Sequence, residues 1–427
     1  MDAAFTADQE AIRRTLRALP AAHRSPAPDG PGGIASPDGP GDGSGAPDGY
    51  DPEVWRALAR DPGLPGIALP EAYGGGGRGT AGLAAALEET GRALLPSPLL
   101  ATAALAAPLV LALGTEDQRT ALLPRIADGT LTAALAVPGG SLPTALGLTG
   151  DPTGGAWAGG GRAGGVQARP AGGEGGWRLY GEAVPVPDGA SAGLLVVAAH
   201  AGGFPRSRTL LFLVAADGPV PPAGLVRTPH PSLDPTRPLA RVQLRDTEAV
   251  LLGADDGADV TAALAEAGRT AAVALAAEAA GAAAGALERA VARAQAAEAA
   301  GSRAADPGVA GAFPAARLRL AELYARVRSA RTAAHHAVGE PESGGLALAQ
   351  ALEVLRATTA ETAHPAGGPG AARDGGARGY FERAAGDELL LGPVQLLRDH
   401  AAHRAGMFGA RPCGDAGHGA ASGRVAV

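Results

Sequence analysis

Two histidine pairs, His335-His336 and His400 with His403, are the residues whose spacing first raises metal chemistry. A protein metal site needs three or four converging Cys, His or carboxylate ligands. Neither pair has such companions at the usual spacing, so both read as solvated helix-face side chains and no metal is expected. The run YGGGGRG, Tyr73 to Gly79, has the glycine of a phosphate loop but lacks the Lys-Ser/Thr that would follow. The chain contains no lysine and no asparagine, which removes Schiff-base chemistry and the phosphate-loop lysine together. Its single cysteine, Cys413, excludes an intrachain disulfide and reads as an incidental residue of a Gly-rich tail. No serine-hydrolase nucleophile elbow is expected.

The 427 residues exceed one ordinary core, so two or three packed lobes are expected. Apolar residues make up 46% of the chain, enough for a real interior, and the formal charge of -7 offers no basic surface for nucleic acid. The first nineteen positions have no basic segment followed by an apolar run, so no signal peptide is expected. The stretch Leu99 to Leu113 is too short and too Ala-rich for a membrane span. A cytoplasmic protein with no membrane partner is the resulting expectation.

The elements that must position any site fall in three blocks. Up to about residue 132 the pattern is helical. Thr6 and Gln9 form a capping box before Ile12, Leu16 and Leu19; Asp51-Pro52-Glu53 opens a helix; Leu83, Leu87, Thr90 and Leu94 make a stripe; Thr115 to Gln118 repeats the box. Residues 23–49, rich in Pro, Gly, Asp and Ser, read as a flexible loop. From 133 to 253 the apolar runs WRLYG, GLLVVAA, TLLFLVAA and ARVQLRD are short and broken by turns, as in a small antiparallel β domain. From 254 to 409 the chain is helical again. Thr261 to Ala300 has the strongest helix-forming composition, and Leu320, Leu323, Val327, Ala330 and Ala334 share one face of the next helix. Leu348, Leu352, Leu355 and Thr359 mark a third, and a fourth runs from near Tyr380 toward His403 with a break at Gly392-Pro393. Residues 410–427 read as a flexible tail. The fold class is α+β: an N-terminal helical domain, a middle antiparallel β domain and a C-terminal four-helix bundle.

Several segments occur in the order of one known family. GLPGIALPEAYGGGG (Gly63 to Gly77) resembles that family's "Gly-Leu-x-Gly-Leu-x-x-Pro-Glu-x-Tyr-Gly-Gly" turn, and ALEETGRALLPSPLL its "Glu-Glu-Leu-Gly-Arg" helix. GGWRLYGEAVPVPDGASAGLLVVAA resembles the "Gly-x-x-Leu-x-Gly" strand pair, SLDPTRPLARVQL the strand leaving the β domain, and AVALAAEAAGAAAGALERAVARA the first long bundle helix. Together they cover roughly Phe5 to Gly406 and resemble the acyl-CoA dehydrogenases, of actinobacterial type. The resemblance implies a lipid-metabolism oxidoreductase and flavoprotein: FAD bound without a covalent link, an acyl-CoA or other acyl thioester as substrate, and α,β-dehydrogenation. One carboxylate removes the α-proton while flavin N5 takes the β-hydride. The resemblance also implies an oligomer, with copies of itself or with another acyl-CoA dehydrogenase-like chain.

Measured against that family, the site residues are a mixture. Its "Arg-x-Gln-Phe-Gly-x-x-Ile-x-x-Phe-Gln" stretch, which holds the FAD dinucleotide, matches GSRAADPGVAGAFPAARLRLAEL, leaving Arg303 beside the arginine position and Phe313 in place. Its "Gln-x-x-Gly-Gly-x-Gly" turn matches HPAGGPG, with Gly367, Gly368 and Gly370 retained and able to let backbone approach a pyrophosphate. The flavin-facing "Trp-x-Thr" is Val184-Pro185-Val186 here. Of the two usual positions for the catalytic base, one falls on Leu391 and the other near Ala271. The nearby carboxylates are Glu278, Asp374, Glu382, Asp387 and Glu388; Asp374, matching an acid in one form of the glycine turn, is the catalytic candidate. These departures make a non-catalytic partner subunit of a heteromeric acyl-CoA dehydrogenase the alternative to a working enzyme.

Overall fold

In the computed structural model, the described residues are 7–18, 49–154, 157, 165–171, 176–202, 208–254, 257, 259–301, 307–363 and 375–407. The expected loop 23–49, apart from Gly49, and the expected tail lie outside them, as does Thr6 of the first capping box. The N-terminal part contains α1 (Ala7–Ala18), α2 (Pro52–Arg60), α3 (Gly79–Ala93), α4 (Ala107–Leu113) and α5 (Glu116–Ala127). The starts of α2 and α5 are capped by side chains. Asp51 accepts from the backbone N–H of Glu53 at 2.8 Å, and Thr115 with Gln118 completes the expected box at α5. Gln118 also reaches beyond its helix, donating to the Leu251 carbonyl at 2.7 Å and accepting from Gly253 N–H at 2.9 Å. One capping side chain thereby ties this part to the strands.

The strands are β1 (Ala133–Ala136), β2 (Val166–Pro170), β3 (Trp177–Pro187), β4 (Leu194–Ala201), β5 (Arg208–Ala215), β6 (Leu225–His230) and β7 (Leu239–Leu251); the four-residue α6 (Leu142–Ala145) follows β1. Their order is β1-β4-β2-β3-β7-β5, with β4 also paired to β5 and β6 laid on β7, so the sheet closes on itself. Most pairings are antiparallel as expected, but β1 and β2 each lie parallel to β4. Those parallel pairings could not be read from runs as short as AALA. In β7 Ala240, Val242 and Leu244 point inward while Arg241, Gln243 and Arg245 face out, the alternation of a half-buried strand. β4 is buried along its whole length, which explains its unbroken apolar run.

The C-terminal part is built from α7 (Val260–Gly301), α8 (Pro307–Gly339), α9 (Gly344–Ala363), α10 (Gly375–Leu391) and α11 (Val394–Arg404), with the expected break at Gly392-Pro393. Val260 to Ala296 is long and apolar enough to cross a membrane by length and composition, yet 89% of its most apolar window is buried inside the protein. Small residues let α7 lie very close to α3. A β-carbon on Gly281 would stand 1.9 Å from the Glu88 carbonyl oxygen, and one on Gly91 2.2 Å from that of Glu278. Charge then locks the contact. Glu88 accepts from Arg13 of α1 at 2.6 Å and bonds His335 of α8 at 2.9 Å; Glu89 pairs with Arg17 and Arg92. The segment "Glu-Glu-x-Gly-Arg" is therefore the joint at which α3 meets α1, α7 and α8. Gly281→Ala forces backbone apart and is expected to cost about 1–3 kcal/mol, read as a lower urea midpoint with unchanged slope.

Candidate functional site

Strand β3 ends on Val184-Pro185-Val186, where its register against β7 shifts. Val186 is buried and Val184 and Pro185 are half-buried; Pro185 and Pro187 remove two backbone donors. Asp188, which follows, turns the chain toward β4 with a left-handed backbone (φ 54°). Its N–H donates to the Pro238 carbonyl at 2.9 Å, and its carbonyl accepts from Ala192 N–H at 3.1 Å. The sequence Gly189-Ala-Ser-Ala-Gly193 does spell Gly-x-Ser-x-Gly. Here it joins strand to strand, and the Ser191 hydroxyl faces its own turn at the Asp188 carbonyl, so it is no nucleophile elbow.

Asp188 opens onto a buried ionic cluster between the strands and the bundle. Arg383 of α10 donates through Nε to Asp234, through Nη1 to Glu278 Oε1 at 2.8 Å and through Nη2 to the Thr236 hydroxyl at 2.5 Å. Arg237 donates to Glu278 Oε2 at 2.5 Å and lies 3.1 Å from Asp387 Oδ1. Asp234 also accepts from the N–H and hydroxyl of Thr236, so the loop 232–237 is folded around its own acid. Burial opposes the charge of Asp234, but Arg383 and Arg237 hold it below the usual carboxylate range. For Asp387 burial wins and pushes it up to about 6. Burial likewise pushes Asp188 up to about 7, and its Oδ1 has no hydrogen-bond partner.

On the far side of α10, Leu391 is 2% exposed and ends the helix; Gly392 turns the chain with φ 91°. Ala271 is fully buried in α7. Neither of these two side chains is a carboxylate. Of the candidate acids, Glu278 and Asp387 belong to the ionic cluster, Glu382 pairs with Arg378 at 2.6 Å on the surface, and Glu388 is half-buried. A groove of about 670 Å³ lies nearby, lined by Asp151, Asp259, Arg269, His400, His403 and Arg404 among others. Thr149, between two segments of that lining, lies close to Gly392, whose added β-carbon would come within 3.2 Å of it. A small void of about 20 Å³ sharing Arg269, His400 and Arg404 touches Ala272. Asp259 caps α7 through Ala262 N–H at 2.9 Å, and the Thr153 N–H holds Asp151 below its ordinary value.

Comparison with known proteins decides what this framework is. The chain is 30% identical over 361 residues to acyl-CoA dehydrogenase IpdE2 of Mycolicibacterium smegmatis, covering 81% of this chain and 85% of that protein. It belongs to the acyl-CoA dehydrogenase family. A profile of the acyl-CoA dehydrogenase N-terminal domain matches residues 44–130. Among solved structures, the Tcur3481-Tcur3483 steroid ACAD (G363A variant) is 26% identical with a TM-score of 0.67, covering 94% of this chain and 97% of that one. The ChsE4-ChsE5 complex from Mycobacterium tuberculosis shares the fold, with a TM-score of 0.71, 22% identity and coverage of 96% and 100%.

The family's cofactor can be tested against the residues at hand. Arg303, Gly367, Gly368, Gly370 and Asp374 lie outside the described residues, and Phe313 is placed only as a backbone position of α8. What is described is the wall that would meet the flavin ring, and it does not fit on its own: Val184-Pro185-Val186 is apolar, without aromatic ring, hydroxyl or full set of backbone donors. The nearest buried polar groups, Asp188 among them, face the ionic cluster. Among the described residues no three His, Cys, Asp or Glu side chains are placed to hold a metal; His335 is engaged by Glu88, and His403 lies 3.6 Å from Asp399.

Reading the sequence missed Asp188, Asp234 and Arg237. The signal lay in SLDPTRPL and VPDG, where acids and an arginine sit among prolines in segments read only as strand and turn. Arg383→Met should cost about 3–5 kcal/mol, because Asp234 and Glu278 would stay buried without their shared cation. Arg326→Ala, which breaks an exposed i,i+4 pair with Glu322, should cost only about 0.3–0.5 kcal/mol. Denaturant titration of the two variants checks the contrast.

Proposed function

We propose that this chain serves the FAD-dependent α,β-dehydrogenation of an acyl thioester as the base-lacking member of a heteromeric pair. One consideration carries the reading: counted along the resemblance, the two usual base positions fall on Leu391 and near Ala271, which are both buried and unable to take a proton. The apolar segment Val184-Pro185-Val186 supports it, since a flavin contacting this chain needs polar partners from elsewhere. The likeness to a steroid ACAD named for two chains points the same way. In this reading Arg303, Phe313 and the turn Gly367, Gly368 and Gly370 supply this chain's share of the dinucleotide contact. The groove between α7, α11 and residues 147–153 admits the acyl thioester. The partner is a second acyl-CoA dehydrogenase-like chain that brings the carboxylate.

The visible spectrum tests this directly. The chain purified alone should show no flavin that an acyl-CoA can bleach, whereas co-purification with its dehydrogenase-like partner should give a bleachable flavin. Bleaching by the lone chain overturns the pairing and turns attention to Asp374. Asp374→Asn would then slow flavin reduction by about 10²–10⁴-fold if that acid is the base. In the paired complex the same substitution should change the rate less than about twofold.

A further inference from the structure

The seam between the closed sheet and the helical bundle has a charge imbalance built into it. Four carboxyl groups converge there: Asp188 from the β3–β4 turn, Asp234 from the loop before β7, Glu278 from α7 and Asp387 from α10. They face two guanidiniums, Arg237 and Arg383. Each of the six residues is at most 6% exposed, so water does little to screen them. Fully ionised, the cluster would hold two uncompensated negative charges in a dry interior, which is far more costly than keeping two protons.

Geometry says where the protons stay. Asp234 and Glu278 take the direct bonds of Arg383 and Arg237. Asp387 reaches only Arg237, at 3.1 Å, through an oxygen that makes no hydrogen bond. Asp188 makes no direct ion pair among the described residues, and its Oδ1 is buried without a partner. We propose that this seam is a proton-operated clamp, closed while Asp188 and Asp387 are protonated and loosened when rising pH removes those protons. Burial lifts the two acids to about 7 and about 6, which places the transition near neutral pH.

The clamp holds the two elements that matter most to the framework. Asp188 is two residues beyond Val186, the end of the apolar wall, and Asp387 is one helical turn before Leu391. A β-carbon on Gly386, between Arg383 and Asp387, would lie 3.1 Å from the Asp234 β-carbon, so α10 rests directly on the loop 232–237. Loosening the seam therefore changes the spacing between the β3 wall and the end of α10. This inference does not depend on whether the chain works alone or in a pair.

The sign follows from linkage. An unfolded aspartate releases its proton near pH 3.9, whereas these two hold theirs up to about 6 and about 7 in the folded chain. The stabilisation is complete at low pH and is lost as pH rises through that window. His200, held neutral by burial, works in the opposite direction as pH falls, so the variants rather than the raw profile carry the test.

Thermal unfolding of the full chain between pH 5.5 and 8.5 is the experiment. The wild-type midpoint should fall with rising pH. Asp188→Asn keeps the shape without the titration, and should raise the midpoint at pH 8.5 by at least about 2 °C and flatten the profile. Asp387→Asn should flatten its lower half. A profile in Asp188→Asn as steep as the wild type overturns the proposal. Infrared difference spectra between pH 5.5 and 8.5 give a second reading: a buried protonated-carboxyl C=O band should be present at the acid end and reduced in Asp188→Asn. Absence of that band in the wild type also overturns it.

Discussion

The seam between the strands and the helical bundle depends on Arg383. A guanidinium has five donors in a fixed plane and keeps its charge at any ordinary pH, so burying it commits its surroundings to supplying acceptors. Here those acceptors come from the loop before β7 and from α7, while the arginine itself comes from α10. Three elements distant in sequence are thereby fixed at one point. An apolar side chain of similar volume would pack there too, but could not dictate which loop meets which helix.

The second constraint is closeness. α3 and α7 approach until glycines on each face a carbonyl of the other, leaving no space for side chains along the crossing. The polar groups are displaced to the flanks, where Glu88 and Glu89 gather arginines from α1, α3 and α8 and His335 from α8. This is why a helix as apolar and long as α7 can sit inside a protein: its surface is taken up by other helices rather than left for lipid. The two ionic clusters mark the two sides of α7, one toward the N-terminal helices and one toward the strands.

These constraints hold the fold of the acyl-CoA dehydrogenase family together. The glycine crossing and the Arg383 cluster both bear on α7, the first through Gly281 and the second through Glu278. Leu391, Ala271 and Val186 are buried and packed within this framework.

The sequence by itself determined the order of elements and most of their faces. Capping side chains at Asp51 and Thr115, helical stripes such as Leu348-Leu352-Leu355 and alternation in ARVQLRD depend on neighbours a few residues away, and local patterns carry that information. The parallel pairings of β1 and β2 with β4, the approach of α7 to α3 and the meeting of Asp188 and Asp234 with Arg383 were decided only by tertiary structure. Asp188 looks in the sequence like any turn aspartate. Its burial, its missing partner and its raised affinity for a proton come from groups 46 to 199 positions away along the chain, brought within reach only when strands and helices close on each other.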